Sequence, residues 1–325
     1  MVTPGLHPGK PKIVPMDILS PSDSFAKHSA VTIGVFDGVH SGHQMLLRQL
    51  DDIASAHDLA RVVVTFDVHP LTVLAPPGHA PKMLLSLERK LELLERSELV
   101  DAVVVIPFDP VRAAQSAHDF VQEVLIDQLH ACHVLVGANF VFGHARRGNV
   151  ALLKEIGQEN GFEVNPVDLL CNESESPVSS TLIRQYISVG NMGKAKELLT
   201  RPHELSGVVV PGDQVGNDLG YPTANTEVDQ SMCIPADAVY SGRVHVEPGR
   251  IYKSAISIGV RPMFHEDNIR VIEPYILDFS ENIYGQTIRI EFEERLRGQL
   301  VLDSVDSLIA QIEKDVDTVR TTIML

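Results

Sequence analysis

The chain has 325 residues, enough for two domains of ordinary size. It carries 27 Lys and Arg against 43 Asp and Glu, and the formal net charge of −16 disfavours a sequence-independent hold on nucleic-acid phosphates or an anionic membrane surface, while leaving room for a local basic site for one small anion. The longest run without charge or histidine, Val134 to Gly143, is far short of the roughly 20 apolar residues that a spanning helix requires.

The opening MVTPGLHPGKPKIVPMDIL is interrupted by prolines and reads as an irregular lead-in, without the apolar stretch of a signal peptide. From Val31 to about Leu199, β-branched runs alternate with helical patterns, the sequence form of a parallel sheet covered by helices. VTIGVF (31–36), RVVVTF (61–66), DAVVVI (101–106), CHVLVG (132–137) and FEVNPVDL (162–169) are expected strands. Between them, Leu46, Leu50, Ile53 and Ala54 fall at helical spacing, SLERKLELLERSEL forms a second helix, and Ser116 with Asp119 reads as a capping box opening DFVQEVLIDQL. Cys132, Cys171 and Cys233 stand far apart, with neither a disulfide framework nor metal-ligand spacing, which suits a reducing cytoplasm.

The pattern changes after TRPHEL (200–205). GVVVPG, VYSGRVHV, SAISIGV, VIEPYILDF and QTIRIEFEERL are strand-like and separated by turn signals, so this half reads as all-β. One helix closes it, with Val305, Leu308, Ile309, Ile312, Val316 and Val319 forming an apolar stripe. The expected domains are 1–203 and 204–325, a doubly wound α/β domain followed by a β domain with a terminal helix.

Gly34-Val35-Phe36-Asp37-Gly38-Val39-His40-Ser41-Gly42-His43 lies where the first predicted strand gives way to the first helix. In an open α/β sheet, ligands bind beyond the carboxyl ends of strands, and anions sit at helix N-termini. His40 and His43 are three residues apart across a loop-to-helix turn, so both imidazoles can face one phosphate, and Gly42 removes a side chain that would block it. Ordinary surface histidines beside a glycine turn are the alternative. A second cluster, Ser179-Ser180-Thr181-Leu182-Ile183-Arg184, opens a helix. Its hydroxyls can be N-caps, and Arg184 shares a helix face with Ser180 and Thr181, which makes a second anion site.

G-x-F-D-G-V-H-x-G-H followed by V-S-S-T-x-I-R, with VGANFVFG between them, resembles the adenylyltransferase module of the bacterial bifunctional riboflavin kinase/FAD synthetases, within the nucleotidyltransferase superfamily. The resemblance implies a Rossmann-like sheet and the reaction of FMN with ATP to give FAD and pyrophosphate. It implies that His40 and His43 stabilise charge on the α-phosphate, that Ser180, Thr181 and Arg184 hold the outer phosphates, and that Gly34, Phe36 and Asp37 belong to the nucleotide site. Asn139 and Phe140 match the segment lining the flavin and nucleotide pocket, with core packing an equal reading for Phe140.

In the β half, a loop from Gly212 through Gly216 to Gly220 precedes Gly220-Tyr221-Pro222-Thr223-Ala224-Asn225. Thr223 and Asn225, two apart in an extended segment, point to one side and offer neutral oxygens that suit Mg2+ shared with phosphates; a turn in which they bond their own backbone is the alternative. LGYPTAN resembles the riboflavin kinase signature, and IPADAVYSGRV, SIGVRPMF, EPYILDF and IYG match that module in order. This resemblance implies a Greek-key barrel that transfers the γ-phosphate of ATP to the ribityl hydroxyl of riboflavin. It makes Glu273 the catalytic base, where the residue alone would read as a solvated strand carboxylate, and it makes Thr223 and Asn225 the metal-facing pair. The chain departs from the family pattern at Thr200, Asn217, Ala238 and Met263.

The expected substrates are therefore ATP, riboflavin and FMN, with Mg2+ as cofactor, neither nucleic acid nor membrane as partner, and a homo-oligomer left open. Two rivals remain at this level: a monofunctional FAD synthetase whose degenerate kinase domain only binds flavin, and a flavin-storing or regulatory RNA-binding protein on the same fold, for which the acidity makes RNA unattractive.

Overall fold

The computed structural model describes residues 15–168, 170–171, 177–212, 219–246, 249–260, 270–300 and 303–325. Gly216, Asn217 and Met263 lie outside the described residues. The described residues group into two compact units, drawn from Met1–Phe36, His43–His79 and Leu87–Leu169 in the first and from Asp37–Gly42, Ala80–Ser86 and Leu170–Leu325 in the second.

The elements of the first half are β1 (Asp17–Leu19), β2 (Ser29–Ile33), α1 (Ser41–His57), β3 (Ala60–Phe66), α2 (Pro70–Leu74), α3 (Leu87–Glu95), β4 (Ala102–Ile106), α4 (Pro110–Ala114), α5 (Ala117–Phe120), β5 (Ala131–Gly137), β6 (Val141–Phe142), β7 (Gly148–Asn149), α6 (Val150–Asn160) and β8 (Glu163–Val167). Six strands make a parallel sheet in the order β1-β4-β3-β2-β5-β8. The chain moves outward from β2 through β3 to β4 and then returns to β5 on the other side of β2. The topological switch point therefore lies between β2 and β5, where an open α/β sheet receives its ligand. Apolar layers form on both faces. Val31, Ile33, Val62 and Val64 belong to one core cluster, and Ala30, Leu50, Ala54 and Leu135 form another. The helical stripe expected on α1 is realised, with Leu50 and Ala54 buried and Leu46 and Ile53 packed beside them.

Two local expectations are corrected. Asp17–Leu19, within the stretch expected to be irregular, pairs with β4 as an edge strand, because Asp17 N–H donates to the Asp101 carbonyl at 2.9 Å and the register continues to Leu19 and Val104. Ser116 caps α5 by accepting from Asp119 N–H at 3.1 Å, and its hydroxyl donates to the Asp119 carboxylate at 2.7 Å, so the carboxylate does not reach back to the cap amide as a capping box would. The helix continues from there in π form over Val121–Gln128.

The second half comprises α7 (Ser180–Ser188), α8 (Met192–Leu199), β9 (His203–Val209), β10 (Thr226–Val228), β11 (Ala238–Val246), β12 (Arg250–Val260), β13 (Arg270–Ile276), β14 (Thr287–Gly298) and α9 (Val305–Thr322). The strands close an antiparallel barrel in the order β10-β13-β12-β11-β14-β9. Within it β11, β12 and β13 are successive antiparallel neighbours and β14 lies beside β11, which is the Greek-key order. Alternation fills the barrel: Ile256, Ile258, Ile272, Ile288, Ile290 and Phe292 are buried together with Ile183, Ile187 and Leu198 of α7 and α8. Val316 and Val319 of α9 pack on Ala255 and Leu277, whereas Val305 is 59 % exposed, so the expected stripe begins at Leu308. Val305 occupies the first position after the Ser304 cap, before the helix has turned its apolar side inward.

His203 opens β9 at 2 % exposure, and its Nε2–H donates to the Cys233 carbonyl at 2.8 Å. Burial lowers its pKa from 6.5 to about 4. The unfolded chain therefore takes up a proton that the folded chain refuses. This stabilisation is complete above pH 6.5 and is lost as pH falls towards 4, a difference of roughly 3 kcal/mol for one such group. Urea unfolding followed between pH 7 and pH 4 is expected to show that decline, and His203→Gln should make it shallower.

Candidate functional site

In the first unit, the carboxyl ends of β2 and β5 present Gly34 to Phe36 and Ala138 to Phe140 on the two sides of the switch point. Gly34 N–H donates to the Val64 carbonyl at 3.0 Å, which extends the β2 pairing by one residue. Phe36 is fully buried with φ at +52°, and its ring lies 4.8 Å from that of His43 in the first turn of α1. A Cβ on Gly34 would lie 3.2 Å from the Phe36 ring, so the glycine makes room for it. The structure thus places Phe36 beneath His43 as a support, while Asn139 is exposed at the strand end. Phe140 is partly buried against the sheet core and stacks on Phe142 at 5.3 Å.

Lys90 was missed by the sequence reading. It is buried, and its ammonium donates to the Val35 carbonyl (3.2 Å), the Thr65 hydroxyl (3.0 Å) and the Phe66 carbonyl (2.7 Å), which fixes the ends of β2 and β3. The signal was available: Leu87, Lys90, Leu91 and Leu94 form one helical stripe, so a lysine stands where the pattern calls for an apolar residue.

The second unit holds Asp37 to Gly42. Asp37 is 1 % exposed. Its carboxylate accepts from the amides of Leu84 (2.9 Å) and Leu85 (3.3 Å) and pairs with the Arg184 guanidinium, while its carbonyl accepts from the Ser180 hydroxyl at 2.8 Å. Burial pushes the Asp37 carboxyl pKa up; Arg184 and the two amides act in the opposite sense. His40 is 5 % exposed. Burial, with the positive charges of Arg201 and Arg184, lowers its pKa to about 4, so the ring is neutral at pH 7 and a hydrogen-bond donor at one nitrogen. A Cβ on Gly42 would stand 3.2 Å from the His40 ring, so this glycine also accommodates the imidazole.

The three hydroxyls that open α7 have different places. Ser179 caps the helix by accepting from Leu182 N–H at 3.3 Å, Ser180 bonds Asp37, and Thr181 is exposed. Arg184 and Ser180 both bond Asp37, and Arg184 Nε also donates to the Lys82 carbonyl at 2.6 Å.

The barrel builds a second cluster by register. Thr226 pairs with Ile272 and Thr223 bridges Tyr275, so an unbroken antiparallel register sets Asn225 opposite Glu273. Ala224 N–H, donating to the Pro274 carbonyl at 2.9 Å, holds the segment in place. Residues two apart share a face and opposite residues share it across strands. Thr223, Asn225, Glu273 and Tyr275 therefore project together, with Ser257 of β12 opposite Glu273 on its other side. A Cβ on Gly212 would fall 1.9 Å from the Asn225 amide nitrogen, so only glycine lets the chain after β9 pass the buried Asn225 side chain. Gly220, with φ at +83°, makes the turn into Tyr221. Two neutral oxygens beside one carboxylate cannot enclose a cation, but they fit magnesium, which keeps several positions for water and substrate phosphates. Among the described residues, no group of three or more His, Cys, Asp or Glu is arranged to hold a metal ion by itself.

Two of the departures from the family pattern are described. Ala238 is buried in β11 opposite Ile258 and Gly298, where its methyl is accommodated. Thr200 closes α8 with φ at +63°, the left-handed conformation that glycine adopts without strain.

The comparisons define the class of protein, a transferase with two activities. The FAD synthetase family model matches residues 22–182 and the riboflavin kinase model matches residues 199–323. The bifunctional riboflavin kinase/FMN adenylyltransferase of Haemophilus influenzae is 35 % identical over 90 % of this chain and 93 % of its own, and that of Listeria monocytogenes is 36 % identical over 90 % and 92 %. A crystal structure from Streptococcus pneumoniae, described as a macrolide-efflux protein, superposes with a TM-score of 0.84 at 29 % identity, covering 95 % of this chain and 100 % of that one. Among the described residues, no helix is long and apolar enough to cross a membrane. The chain belongs to the bifunctional riboflavin kinase/FMN adenylyltransferase family.

Proposed function

We propose that the protein phosphorylates riboflavin to FMN in the barrel half and adenylylates FMN to FAD in the α/β half, releasing pyrophosphate, with functional modules 1–203 and 204–325. The observation that carries this reading is the presence, in one chain, of the two family matches with both clusters retained: the Asp37 to His43 loop and the Asn225–Glu273 pair. The intact barrel cluster favours an active kinase over the flavin-binding alternative.

For adenylyl transfer, His40 and His43 are the donors to charge developing on the α-phosphate. Ser180, Thr181 and Arg184, with the first-turn amides of α7, receive the outer phosphates. Asn139, at the switch point, and Phe140 line the nucleotide and flavin pocket.

For phosphorylation, Glu273 takes the proton of the ribityl hydroxyl as that oxygen attacks the γ-phosphorus, because an alcohol is a weak nucleophile at neutral pH. Thr223 and Asn225 would hold Mg2+, which when bound with ATP supplies positive charge to the phosphate oxygens. Gly212 stands beside Asn225 and Gly220 makes the turn into Tyr221, and Gly212, Gly216 and Gly220 are assigned to nucleotide binding by the family pattern. The place of action is the cytoplasm, where ATP is available. Incubation with riboflavin, ATP and magnesium, followed by chromatography, should yield FMN and then FAD; accumulation of neither product would overturn the reading, and FAD from supplied FMN alone would favour the monofunctional alternative.

Arg184 gives a test with two readouts. Arg184→Ala should raise the KM for ATP in FAD synthesis. It should also destabilise the fold by about 3–5 kcal/mol, because it strands the buried Asp37 carboxylate. Adding Asp37→Asn should restore stability without restoring the KM. An unchanged KM would leave Arg184 with the structural role alone.

A further inference from the structure

Residues Phe36 to Val39 have an uncommon backbone. Phe36 (φ +52°), Gly38 (φ +91°) and Val39 (φ +41°) all lie on the left-handed side. For phenylalanine and β-branched valine this is strained, and such strain persists only where the surroundings over-determine it. Arg201 does part of that holding. Its Nη2 donates to the Gly38 carbonyl at 2.6 Å, and its Nη1 reaches the Val39 carbonyl at 3.5 Å and the Leu199 carbonyl at 3.1 Å. Thr200, in its left-handed conformation, turns the chain out of α8 directly before Arg201.

We infer that Arg201 is a positioning residue for adenylyl transfer: by clamping the Gly38 and Val39 carbonyls it aims the His40 imidazole, so that the segment matched by the riboflavin kinase model supplies a part of the FAD synthetase site. The inference rests on the reading of His40 proposed above. Residues 36–40 fall within the FAD synthetase match and Arg201 within the riboflavin kinase match. Arg201 reaches over 163 positions to Gly38, so the clamp forms only where folding brings the two together. Its charge is also felt by His40, which it helps to hold neutral. A planar guanidinium bonds several carbonyls at once in fixed geometry, whereas a lysine ammonium is a single point charge.

The test uses the full chain with Arg201→Ala, Arg201→Lys and His40→Ala, each assayed for FMN formation from riboflavin and for FAD formation from supplied FMN. Misplacing a reacting group by about 1 Å costs up to about 100-fold. Arg201→Ala should therefore lower kcat for FAD formation by roughly 10- to 100-fold with little change in KM for ATP or FMN, and leave FMN formation near wild type. Arg201→Lys should fall between the two, and added guanidinium ion at concentrations well below denaturing should partly restore Arg201→Ala. Loss of both activities together, a change confined to KM, failure of guanidinium to restore any activity, or FAD synthesis within about twofold of wild type would overturn the inference. If Arg201→Ala does not fold, an Arg201→Lys enzyme with wild-type kcat would overturn it as well, and a lowered kcat with intact FMN formation would support it. Unimpaired FAD synthesis in His40→Ala would instead refute the reading of the loop as the adenylyl-transfer site, a failure distinct from that of Arg201.

Discussion

His40→Ala and His43→Ala are each expected to lower FAD formation from FMN by roughly 100- to 1000-fold, the usual cost of removing one preorganised donor to a developing phosphate charge. FMN formation from riboflavin should remain near wild type. His40 is nearly enclosed and neutral, seated against Gly42, and its loop is held by Asp37, Ser180 and Arg201, so its donor is positioned before substrate arrives. His43 stands over the buried Phe36 ring in the first turn of α1, where helix amides favour an anion. Steady-state assays of both half-reactions check this. FAD synthesis within a few-fold of wild type in either variant would remove that histidine from the chemistry.

Glu273→Gln is expected to lower FMN formation from riboflavin by roughly 100- to 10,000-fold, the span typical of losing a general base. The substitution keeps the side chain's shape and removes only its capacity to take a proton. Glu273 lies mid-strand in β13, between Ser257 of β12 and Asn225 on the other side, so an isosteric amide should leave the barrel folded. FAD formation from supplied FMN should survive, and riboflavin-to-FAD conversion should recover when FMN is added. Equal loss of both reactions would indicate a damaged fold or one shared site. Loss of neither would return Glu273 to a solvated strand position.

Most elements were legible because their causes are local. The β-branched runs became β2 to β5 and β8, the stripe on α1 became a buried face, and the alternation after residue 203 became barrel strands. Both motifs were legible for the same reason, since H-x-G-H and P-T-A-N each place their donors within a few residues of one another. Short or atypical pieces were not legible. The three-residue β1 has too few residues for periodicity to show, and its pairing with β4 depends on a strand more than 80 positions away.

The sequence by itself determined an α/β half followed by an all-β half with a closing helix, and the residue types offered to each site, because propensity and hydrophobic period act over a few residues. The closed Greek-key barrel was implied only by the family resemblance. The tertiary structure alone decided what those residues touch. Arg184 is bound to Asp37 across 147 positions, Arg201 to Gly38 across 163, and Asn225 meets Glu273 only through the register of a closed barrel. Such pairings leave no periodic trace in the chain: a guanidinium finds its carbonyl or carboxylate only where folding brings the two together and removes the water that would otherwise satisfy both.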